Sequence, residues 1–167
     1  TGHPDSPPAK VGVPIADLNT GMFAMQGILS AYIHRLKNNE GQYLEVSLLE
    51  SALAYTMYES SIYFTTGKIS TPDGSAHRLT APYQAFKTMD GYINIGAANQ
   101  SNWERLTKVL GIETLNDNPE FSDSKNRQIN RIKLEKILEE IFITKSSKEW
   151  ISILTVSYTH LRAHETR

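Results

Sequence analysis

A helical repeat of apolar residues between positions 17 and 37 constrains the fold of this chain more than any other feature. The repeat also contains Gly21 and Gly27, although glycine inside a helix costs about 1 kcal/mol relative to alanine. Close approach of another backbone, or of a ligand, would account for the two glycines. The pattern predicts a long helix that begins near Asp17 and carries a broad apolar face. Its apolar positions are Leu18, Met22, Phe23, Met25, Ile28, Leu29, Tyr32, Ile33 and Leu36.

Three further segments are predicted before the middle of the chain. Residues 43–48 alternate between apolar and polar side chains, which is typical of a short strand. A second helix is predicted over residues 49–64, which are rich in Ala, Tyr and Met. Residues 67–81 contain Gly and Pro and predict a linker. The front of the chain, residues 1–66, is therefore predicted to be mostly helical.

At Pro82 the apolar period changes from helical to two. Residues 83–88 and 92–96 alternate, and the Asp90-Gly91 pair between them is a strong hairpin signal. Helices are predicted over residues 99–110 and 126–142, and a further helix is predicted to start near Ser146. The rear of the chain, residues 82–154, is therefore predicted to be a small α+β domain. The apolar face of its 126–142 helix comprises Ile129, Ile132, Leu134, Ile137, Leu138, Ile141 and Phe142.

Composition excludes several classes of protein. The chain has 167 residues, a formal net charge of −1 and 40% hydrophobic residues, which suits one domain or two small ones with packed cores. This charge argues against a protein built for nucleic acid or anionic membranes. No apolar run is long enough to span a bilayer. Because cysteine is absent, the chain forms neither disulfides nor zinc–thiolate sites, and we expect a reducing cytoplasm or mitochondrial matrix.

Each end of the chain carries its own expectation. The first residue is not Met, and the closely spaced prolines of residues 1–8 predict a loop entered from upstream, so we interpret the chain as a fragment. The last thirteen residues, 155–167, do not continue the helical pattern that begins at Trp150, and they resemble translated adapter sequence. We expect this tail to be non-native and assign it no function.

Asp17 admits two interpretations. An Asp just before an apolar repeat is most often a helix N-cap, which accepts a hydrogen bond from a backbone N–H two or three residues on. Asn19 and Thr20 could cap equally well. Alternatively, Asp17 is a nucleophilic carboxylate that attacks an activated carbonyl and forms a covalent acyl intermediate. A helix N-terminus suits that role too, because its dipole attracts negative charge. Local sequence favours the cap.

His77 and Arg78 form a second candidate site at the end of the linker. Two solvated loop residues are the more common interpretation of such a pair. Alternatively, the pair binds an anion, since the planar guanidinium of Arg78 matches a carboxylate or a phosphate. The spacing of the remaining histidines and acids predicts no metal site, and no glycine-rich phosphate loop is present.

The order of several short motifs resembles the family III CoA-transferases, the CaiB/BaiF type. The front motifs are Pro7-Pro8-x3-Gly12-x4-Asp17-x-x-Thr20-Gly21, Gly27-Ile28 and Gly41-Gln42-x-Leu44-x-Val46-Ser47-Leu48-x-Glu50-Ser51. The rear motifs are Gly74-Ser75-x-His77, Pro82-Tyr83-Gln84-Ala85-Phe86-Lys87-Thr88-x-Asp90-Gly91-Tyr92-Ile93, Arg127 and Trp150. The run from His77 to Gly91 is most similar to the succinyl-CoA:glutarate CoA-transferase branch.

This resemblance implies that Asp17 is the nucleophile of a CoA transfer. Asp17 would attack an acyl-CoA thioester, and an aspartyl-CoA thioester would follow and pass its CoA to an acceptor acid. Each step exchanges acyl groups between a carboxylate and a thiolate, so the resemblance implies no bound cofactor and no metal. The resemblance implies coenzyme A thioesters and carboxylic acids, in particular dicarboxylates, as substrates, and His77 with Arg78 would help to hold the acceptor.

The resemblance also implies an α/β fold made of a large Rossmann-like domain and a small α+β domain. Residues 1–66 would be the C-terminal helices of the large domain, 67–81 the linker and 82–154 the small domain. Two ring-like subunits would interlock as a homodimer. Most of the CoA-binding loops would lie outside this chain, so the chain alone is expected to be inactive.

Two other functions remain open. In an acyl-CoA racemase of the same superfamily, the matching Asp acts as a base beside an upstream His. Racemases tend to follow that Asp with a glycine-rich run, whereas Leu18-Asn19-Thr20-Gly21 follows here and favours transfer. The alternative from another class is a non-catalytic subunit that binds CoA.

Overall fold

A computed structural model describes residues 2–157 of the chain and divides it into two compact units, Thr1–Pro72 and Asp73–Arg167. Their boundary falls within the segment that composition marks as a linker. The first unit is helical, whereas the second contains the two strands. None of the helices in the described part of the chain is long and apolar enough to cross a membrane.

The first unit begins with helix α1, Ile15–Asn38, and this confirms the long helix predicted over residues 17–37. The helix ends at Asn39, which adopts the left-handed conformation with φ of 57° and donates its backbone N–H to the Arg35 carbonyl at 2.8 Å. Asparagine tolerates this conformation better than most residues, so it stops the helix where glycine often does. Arg35 and Lys37 lie in the last turn, where positive charge complements the helix dipole.

The prediction of a strand over residues 43–48 is wrong. These residues are irregular up to Ser47, which caps helix α2, Leu48–Leu53, by accepting the Glu50 N–H at 3.3 Å. A strand needs a neighbour for its backbone groups, and none of the described residues provides one in this unit. The second predicted helix is also interrupted. A short 3-10 turn, Ala54–Thr56, separates α2 from α3, Met57–Thr66.

Helix α1 of the first unit packs against α2. The side chain of Asn19 is buried and donates its Nδ2–H to the Ser51 carbonyl, which satisfies both polar groups. Asn19 is also the one buried residue of α1, and its predicted apolar positions stay exposed, from 38% at Phe23 to 69% at Leu36. The apolar face of α1 is therefore left uncovered by the residues that the structure describes.

The second unit contains the predicted hairpin, which is confirmed. Strands β1, Tyr83–Lys87, and β2, Tyr92–Gly96, pair antiparallel with Phe86 opposite Ile93. The turn closes with the Thr88 N–H donating to the Gly91 carbonyl at 2.9 Å. One face of this hairpin enters the core, which also comprises Ala81, Ile95, Ala97, Trp103, Leu106, Phe121, Leu134, Leu138, Phe142, Trp150 and Leu154.

In the described part of the second unit, four α-helices and a short 3-10 helix, Glu113–Asn116, follow the hairpin. Helix α4, Gln100–Leu110, matches its prediction, because Asn99 caps it through the Asn102 N–H at 2.8 Å and Gly111 ends it at φ of 70°. The single helix predicted over residues 126–142 is wrong. Two helices occur instead, α5 at Ser124–Ile129 and α6 at Arg131–Phe142, separated by the non-helical Asn130.

Two residues of the predicted apolar face point outward. Ile129 ends α5 and is 68% exposed, and Ile132 begins α6 and is 64% exposed. The other positions of the predicted face are buried or half-buried in the core of the unit. At about 100° per residue, Ile132 lies about 160° around α6 from Leu134 and about 120° from Leu138, so it points away from the core. The predicted apolar face was therefore too broad.

Helix α7, Ser147–Ser157, follows a capping box. The Ser146 hydroxyl accepts the Glu149 N–H at 3.3 Å, while the Glu149 carboxylate accepts the Ser146 N–H at 2.9 Å. The expectation that the helix stops before Thr155 is wrong, since α7 continues through residues 155–157. The rest of the suspected non-native tail lies outside the described residues.

Candidate active site

Asp17 lies in the first turn of α1 but is not its cap. The cap position belongs to Pro14, which has no side-chain hydrogen bond to offer, so the N-cap interpretation of Asp17 is wrong. The other two candidates do not cap either. Asn19 faces Ser51, and the Thr20 hydroxyl donates to the Ala16 carbonyl at 2.7 Å.

The carboxylate of Asp17 is exposed, and within residues 2–157 no hydrogen bond or ion pair engages it. It lies beside the unpaired N–H groups of the first helical turn, where the positive end of the helix dipole attracts negative charge. The structure thus leaves this carboxylate free to meet a ligand.

Small residues extend along the helix face that carries Asp17. Gly21 follows one turn later on the same side, and a Cβ placed there would meet no described atom within 4 Å. Ala24 and Ile28 continue the same face. A Cβ placed on Gly27 would lie 3.7 Å from the Leu44 side chain, which is ordinary van der Waals contact. No described backbone outside α1 approaches either glycine closely, so the close approach that would account for them stays a prediction.

A groove of about 460 Å³ lies between α1 and the segment that joins α2 to α3. The side chain of Asp17 does not line this groove. Each residue turns a helix by about 100°, so Asn19 and Gln26 point about 160–200° away from Asp17. Asp17 and the groove thus occupy opposite sides of α1. The groove is lined by Asn19, Met22, Phe23, Gln26, Ala54, Tyr55, Met57 and Tyr58.

His77 lies in the second unit and is half-buried. Its ring stacks on Tyr83 with centroids 5.2 Å apart and planes 6° from parallel. Its Nδ1 accepts the Leu79 N–H at 3.2 Å and lies 3.1 Å from the Thr80 hydroxyl. The imidazole is thereby fixed in one orientation by its own loop.

Arg78 forms an ion pair with a carboxylate of its own unit, that of Asp73. Its Nη1 lies 2.8 Å from Asp73 Oδ2, and the other oxygen of Asp73 accepts from Arg131 Nη2 at 3.2 Å. Arg131 also pairs with Glu135 at 3.2 Å. The carboxylate of Asp73 therefore joins the loop that carries Arg78 to helix α6. Arg78 is thus already paired with Asp73, and its contact with a substrate stays a prediction.

Arg127 is a buried residue whose contacts the sequence does not reveal. Its side chain is 0% exposed, and Nε donates to the Ala81 carbonyl at 3.2 Å. Nη1 donates to Gln100 Oε1 at 2.9 Å and to the Phe121 carbonyl at 3.1 Å. The guanidinium also lies 5.0 Å from the centre of the Trp103 ring. An Arg in a polar helical segment resembles any surface residue, so only its place in the motif order distinguished it.

Burial lowers the pKa of the Arg127 guanidinium, while the carboxylates of Asp123 and Glu104 act in the opposite direction. Burial disfavours the charged form, and the two acidic groups favour it. In the described part of the chain, no cluster of three or more His, Asp or Glu residues could hold a metal ion.

Solved structures have a similar fold within longer chains. A CaiB/BaiF family protein from Brucella suis matches the whole of this chain with a TM-score of 0.74 and 29% identity, and the match covers 44% of that protein. A protein from Mycobacterium tuberculosis has the same fold with a TM-score of 0.82 at 24% identity, over 43% of its length.

The model of CoA-transferase family III matches residues 1–158, and the chain belongs to this family. Human succinyl-CoA:glutarate CoA-transferase is 34% identical over 151 residues, which are 90% of this chain and 34% of the relative. Succinate–glutarate CoA-transferase of Agrobacterium fabrum is 30% identical over 138 residues, 83% of this chain and 34% of the relative. The chain thus spans about a third of the length of these relatives.

Proposed function

We propose that the protein to which this chain belongs transfers coenzyme A from an acyl-CoA thioester to a carboxylic acid, with Asp17 as the nucleophile. The observation that carries the proposal is the exposed, unengaged carboxylate in the first turn of α1, within a CoA-transferase family. Relatives named as glutarate, oxalate and mesaconate CoA-transferases support transfer to a dicarboxylate acceptor.

The proposed reaction begins with attack of the Asp17 carboxylate on the thioester carbonyl. The C–S bond breaks, which gives a mixed anhydride and a CoA thiolate. The thiolate then attacks the aspartyl carbonyl, releases the donor acid and forms an aspartyl-CoA thioester. The acceptor carboxylate attacks this thioester and expels CoA thiolate once more. The thiolate finally attacks the acceptor carbonyl, so that the new acyl-CoA leaves and the Asp17 carboxylate is regenerated.

Two properties of the helix suit this chemistry. The face formed by Asp17, Gly21 and Ala24 presents small side chains, so a bulky thioester can approach the carboxylate without a clash. Unpaired N–H groups in the first turn are donors for an oxygen that gains negative charge in a tetrahedral transition state. No step moves an electron or needs a Lewis acid, because each one exchanges acyl groups between oxygen and sulfur.

The family assignment also supports a domain arrangement. We assign residues 1–66 to the end of a large Rossmann-like domain, 67–81 to the linker and 82–154 to the small domain. An interlocked homodimer would contain two copies of each. The uncovered apolar face of α1 supports burial in a larger assembly. Light scattering of the full-length protein tests the dimer, and a monomeric mass would contradict it. The cytoplasmic or mitochondrial-matrix location stays a prediction.

Asp17→Asn in the full-length protein tests the nucleophile. We expect the loss of transfer between succinyl-CoA and glutarate by at least about a thousandfold, since Asn cannot form the anhydride. CoA binding should be retained. Incubation of the unaltered protein with acyl-CoA alone should yield an Asp17-linked CoA adduct, detected by mass spectrometry of the peptide. Glu40→Gln is the matched control, because Glu40 is an exposed carboxylate beyond the opposite end of α1.

Three results would contradict the proposal. Full turnover by Asp17→Asn would show that Asp17 is not the nucleophile. Exchange of an α-proton of the acyl-CoA with solvent, without transfer, would identify the racemase. Tight CoA binding without any turnover by the unaltered protein would identify a non-catalytic subunit.

A further inference from the structure

The side chain of Asn19 joins the start of α1 to helix α2 within the first unit. Asn19 alone is buried among the residues of α1, at 5% exposure, and Ser51 alone is buried among those of α2. The Asn19 Nδ2–H donates to the Ser51 carbonyl. Because Ser51 lies in the last turn of α2, where backbone carbonyls lack a partner further along the helix, the Asn19 amide supplies a donor where α2 needs one.

The start of α1 lacks the usual side-chain cap. Pro14 occupies the cap position, and the Leu18 N–H donates to the Pro14 carbonyl at 3.1 Å as the first i to i−4 bond of the helix. A Ser, Asp or Asn cap would hold the first turn, but it would also occupy one of the free N–H groups there. Asn19 instead holds the helix from the side that faces α2, which leaves the N–H groups of the first turn available to a ligand.

The Asn19–Ser51 bond also determines the direction of Asp17. Two residues turn a helix by about 200°, so the side chains of Asp17 and Asn19 point to nearly opposite sides of α1. Asn19 faces α2, and Asp17 therefore faces away from α2 and is exposed. Met22 and Phe23, on the same side as Asn19, are 52% and 38% exposed and give little close packing. Among the described contacts of this end of α1, the hydrogen bond is thus the one that fixes the rotation of the helix.

We propose that Asn19 is a positioning residue for Asp17, because its bond to the Ser51 carbonyl sets the rotation of the first turn of α1 and thereby the place of the nucleophilic carboxylate. This inference rests on the proposed function. Asn19 acts through the helix backbone and touches neither the substrate nor the reacting atoms. A displacement of about 1 Å at a reacting group can cost about a hundredfold in rate. Loss of the bond should therefore lower kcat and leave substrate affinity nearly unchanged.

Asn19→Leu in the full-length protein tests this role, since it removes the donor and keeps a side chain of similar size. We expect kcat for transfer between succinyl-CoA and glutarate to fall by about ten- to a hundredfold. KM for each substrate should stay within about threefold. Formation of the Asp17-linked CoA adduct from acyl-CoA alone should slow by the same factor as kcat. Asn19→Gln keeps an amide donor and should restore kcat to within about fivefold of the unaltered protein.

Leu44→Ala is the control for a general loss of stability in the first unit. A Cβ on Gly27 would lie 3.7 Å from the Leu44 side chain, and Gly27 is about 15 Å along α1 from Asp17. Truncation of Leu44 should therefore lower the melting temperature and leave kcat within about twofold. All rates are measured well below the melting temperature of every variant, with the folded fraction taken from circular dichroism. Asn19→Ala, with the same expected fall in kcat, replaces Asn19→Leu if the latter does not fold.

Asp17→Asn, measured in parallel, separates failure of this inference from failure of the proposed function. An unchanged kcat in Asn19→Leu, together with an inactive Asp17→Asn, would overturn the positioning role alone. A fall in kcat that Leu44→Ala reproduces would overturn it as well, because a loss of stability would then suffice. Full turnover by Asp17→Asn would instead overturn the proposed function, and with it the group that Asn19 is inferred to position.

Discussion

The surroundings of individual carboxylates distinguish structural from reactive residues in this chain. Asp73 accepts from two arginines, and Asp90 accepts the Ser147 N–H at 2.7 Å and the Thr88 hydroxyl at 3.2 Å. Both are occupied by partners that stabilise the fold. Asp17 has no such partner in the described part of the chain. The Asp17 carboxylate is therefore available to a ligand, whereas Asp73 and Asp90 are engaged within the fold.

The hydrogen bonds of Asp90 lead us to expect that the free energy of unfolding depends on pH. Its pKa is lowered chiefly by the backbone N–H of Ser147, with the hydroxyls of Ser147 and Thr88 adding to the effect. A lowered pKa means that the folded state favours the charged form, so the stabilisation is present above the unfolded pKa and is lost as pH falls through the lower folded value. We expect Asp90→Asn to be less stable than the unaltered protein near neutral pH, and this difference to shrink below about pH 4.

Urea unfolding of the full-length protein at several pH values measures this difference. Asp117→Asn is the control, since Asp117 is exposed on a different loop. A gap between the unaltered protein and Asp90→Asn that stays constant down to the most acidic pH would contradict the prediction.

Arg127 predicts a large loss of stability on a conservative change. Arg127→Lys keeps the charge but loses the fork that serves Ala81, Gln100 and Phe121 together. Lysine would leave buried acceptors without a donor and would bury a strongly hydrated ammonium. We therefore expect the free energy of unfolding to fall by about 3 kcal/mol. Thermal and urea unfolding of the full-length protein measure this. Arg105→Lys, at an exposed position of α4, is the control and should change the free energy of unfolding by less than about 0.5 kcal/mol. Equal losses of stability in the two variants would contradict the prediction.

At the scale of the element, caps decide where the helices of the second unit begin. Asn99, Asp123 and Ser146 each accept a backbone N–H three residues on. These are short polar side chains that compete well for the unpaired donors of a first turn. They explain where α4, α5 and α7 begin, whereas α6 follows Asn130 without a side-chain cap. The Ser147 N–H, at the start of α7, donates to the Asp90 carboxylate of the hairpin turn.

Ser146→Ala tests the capping box of α7. It removes the hydroxyl that accepts the Glu149 N–H, so the helix start should lose about 1 kcal/mol of stability. Ser152→Ala is the matched control, because Ser152 is exposed on the same helix and alanine favours helix. Chemical denaturation of the full-length protein compares the two. A Ser146→Ala variant as stable as Ser152→Ala would contradict a capping role.

At the scale of the whole molecule, the two units differ in how they bury apolar surface. The second unit has a core of completely buried side chains around Phe86, Trp103 and Phe142. The first unit buries none of its large apolar side chains, and those of α1 stay exposed. Because burial of apolar surface is the dominant favourable term in folding, the first unit gains much less from its own contacts.

This difference predicts the behaviour of the isolated 167-residue chain. We expect no transfer of CoA from succinyl-CoA to glutarate, and strong binding of a hydrophobic dye to the exposed apolar face of α1. The full-length protein under the same conditions is the control and should transfer CoA and bind little dye. Turnover by the isolated chain, at a rate near that of the full-length protein, would contradict the prediction.

Local patterns determine those parts of this protein in which neighbouring residues interact. The hairpin, α1, α4 and the start of α7 were predictable because a turn, a period or a cap acts over a few residues. The strand at 43–48 and the single helix at 126–142 were not, because pairing and packing overrule propensity. The motif order, rather than any local signal, indicated Asp17 as more than a cap.

The tertiary structure decided what the side chains do. It assigned the cap to Pro14, joined Arg78 to Asp73, buried Arg127, and paired the Asn19 amide with the Ser51 carbonyl. The burial of Arg127 depends on contacts between residues far apart in the sequence, such as Arg127 with Ala81, whose pairing no period or local motif encodes. The sequence alone therefore determined the hairpin, most of the helices and the family, and the folded structure decided which polar groups are held by other residues of the chain.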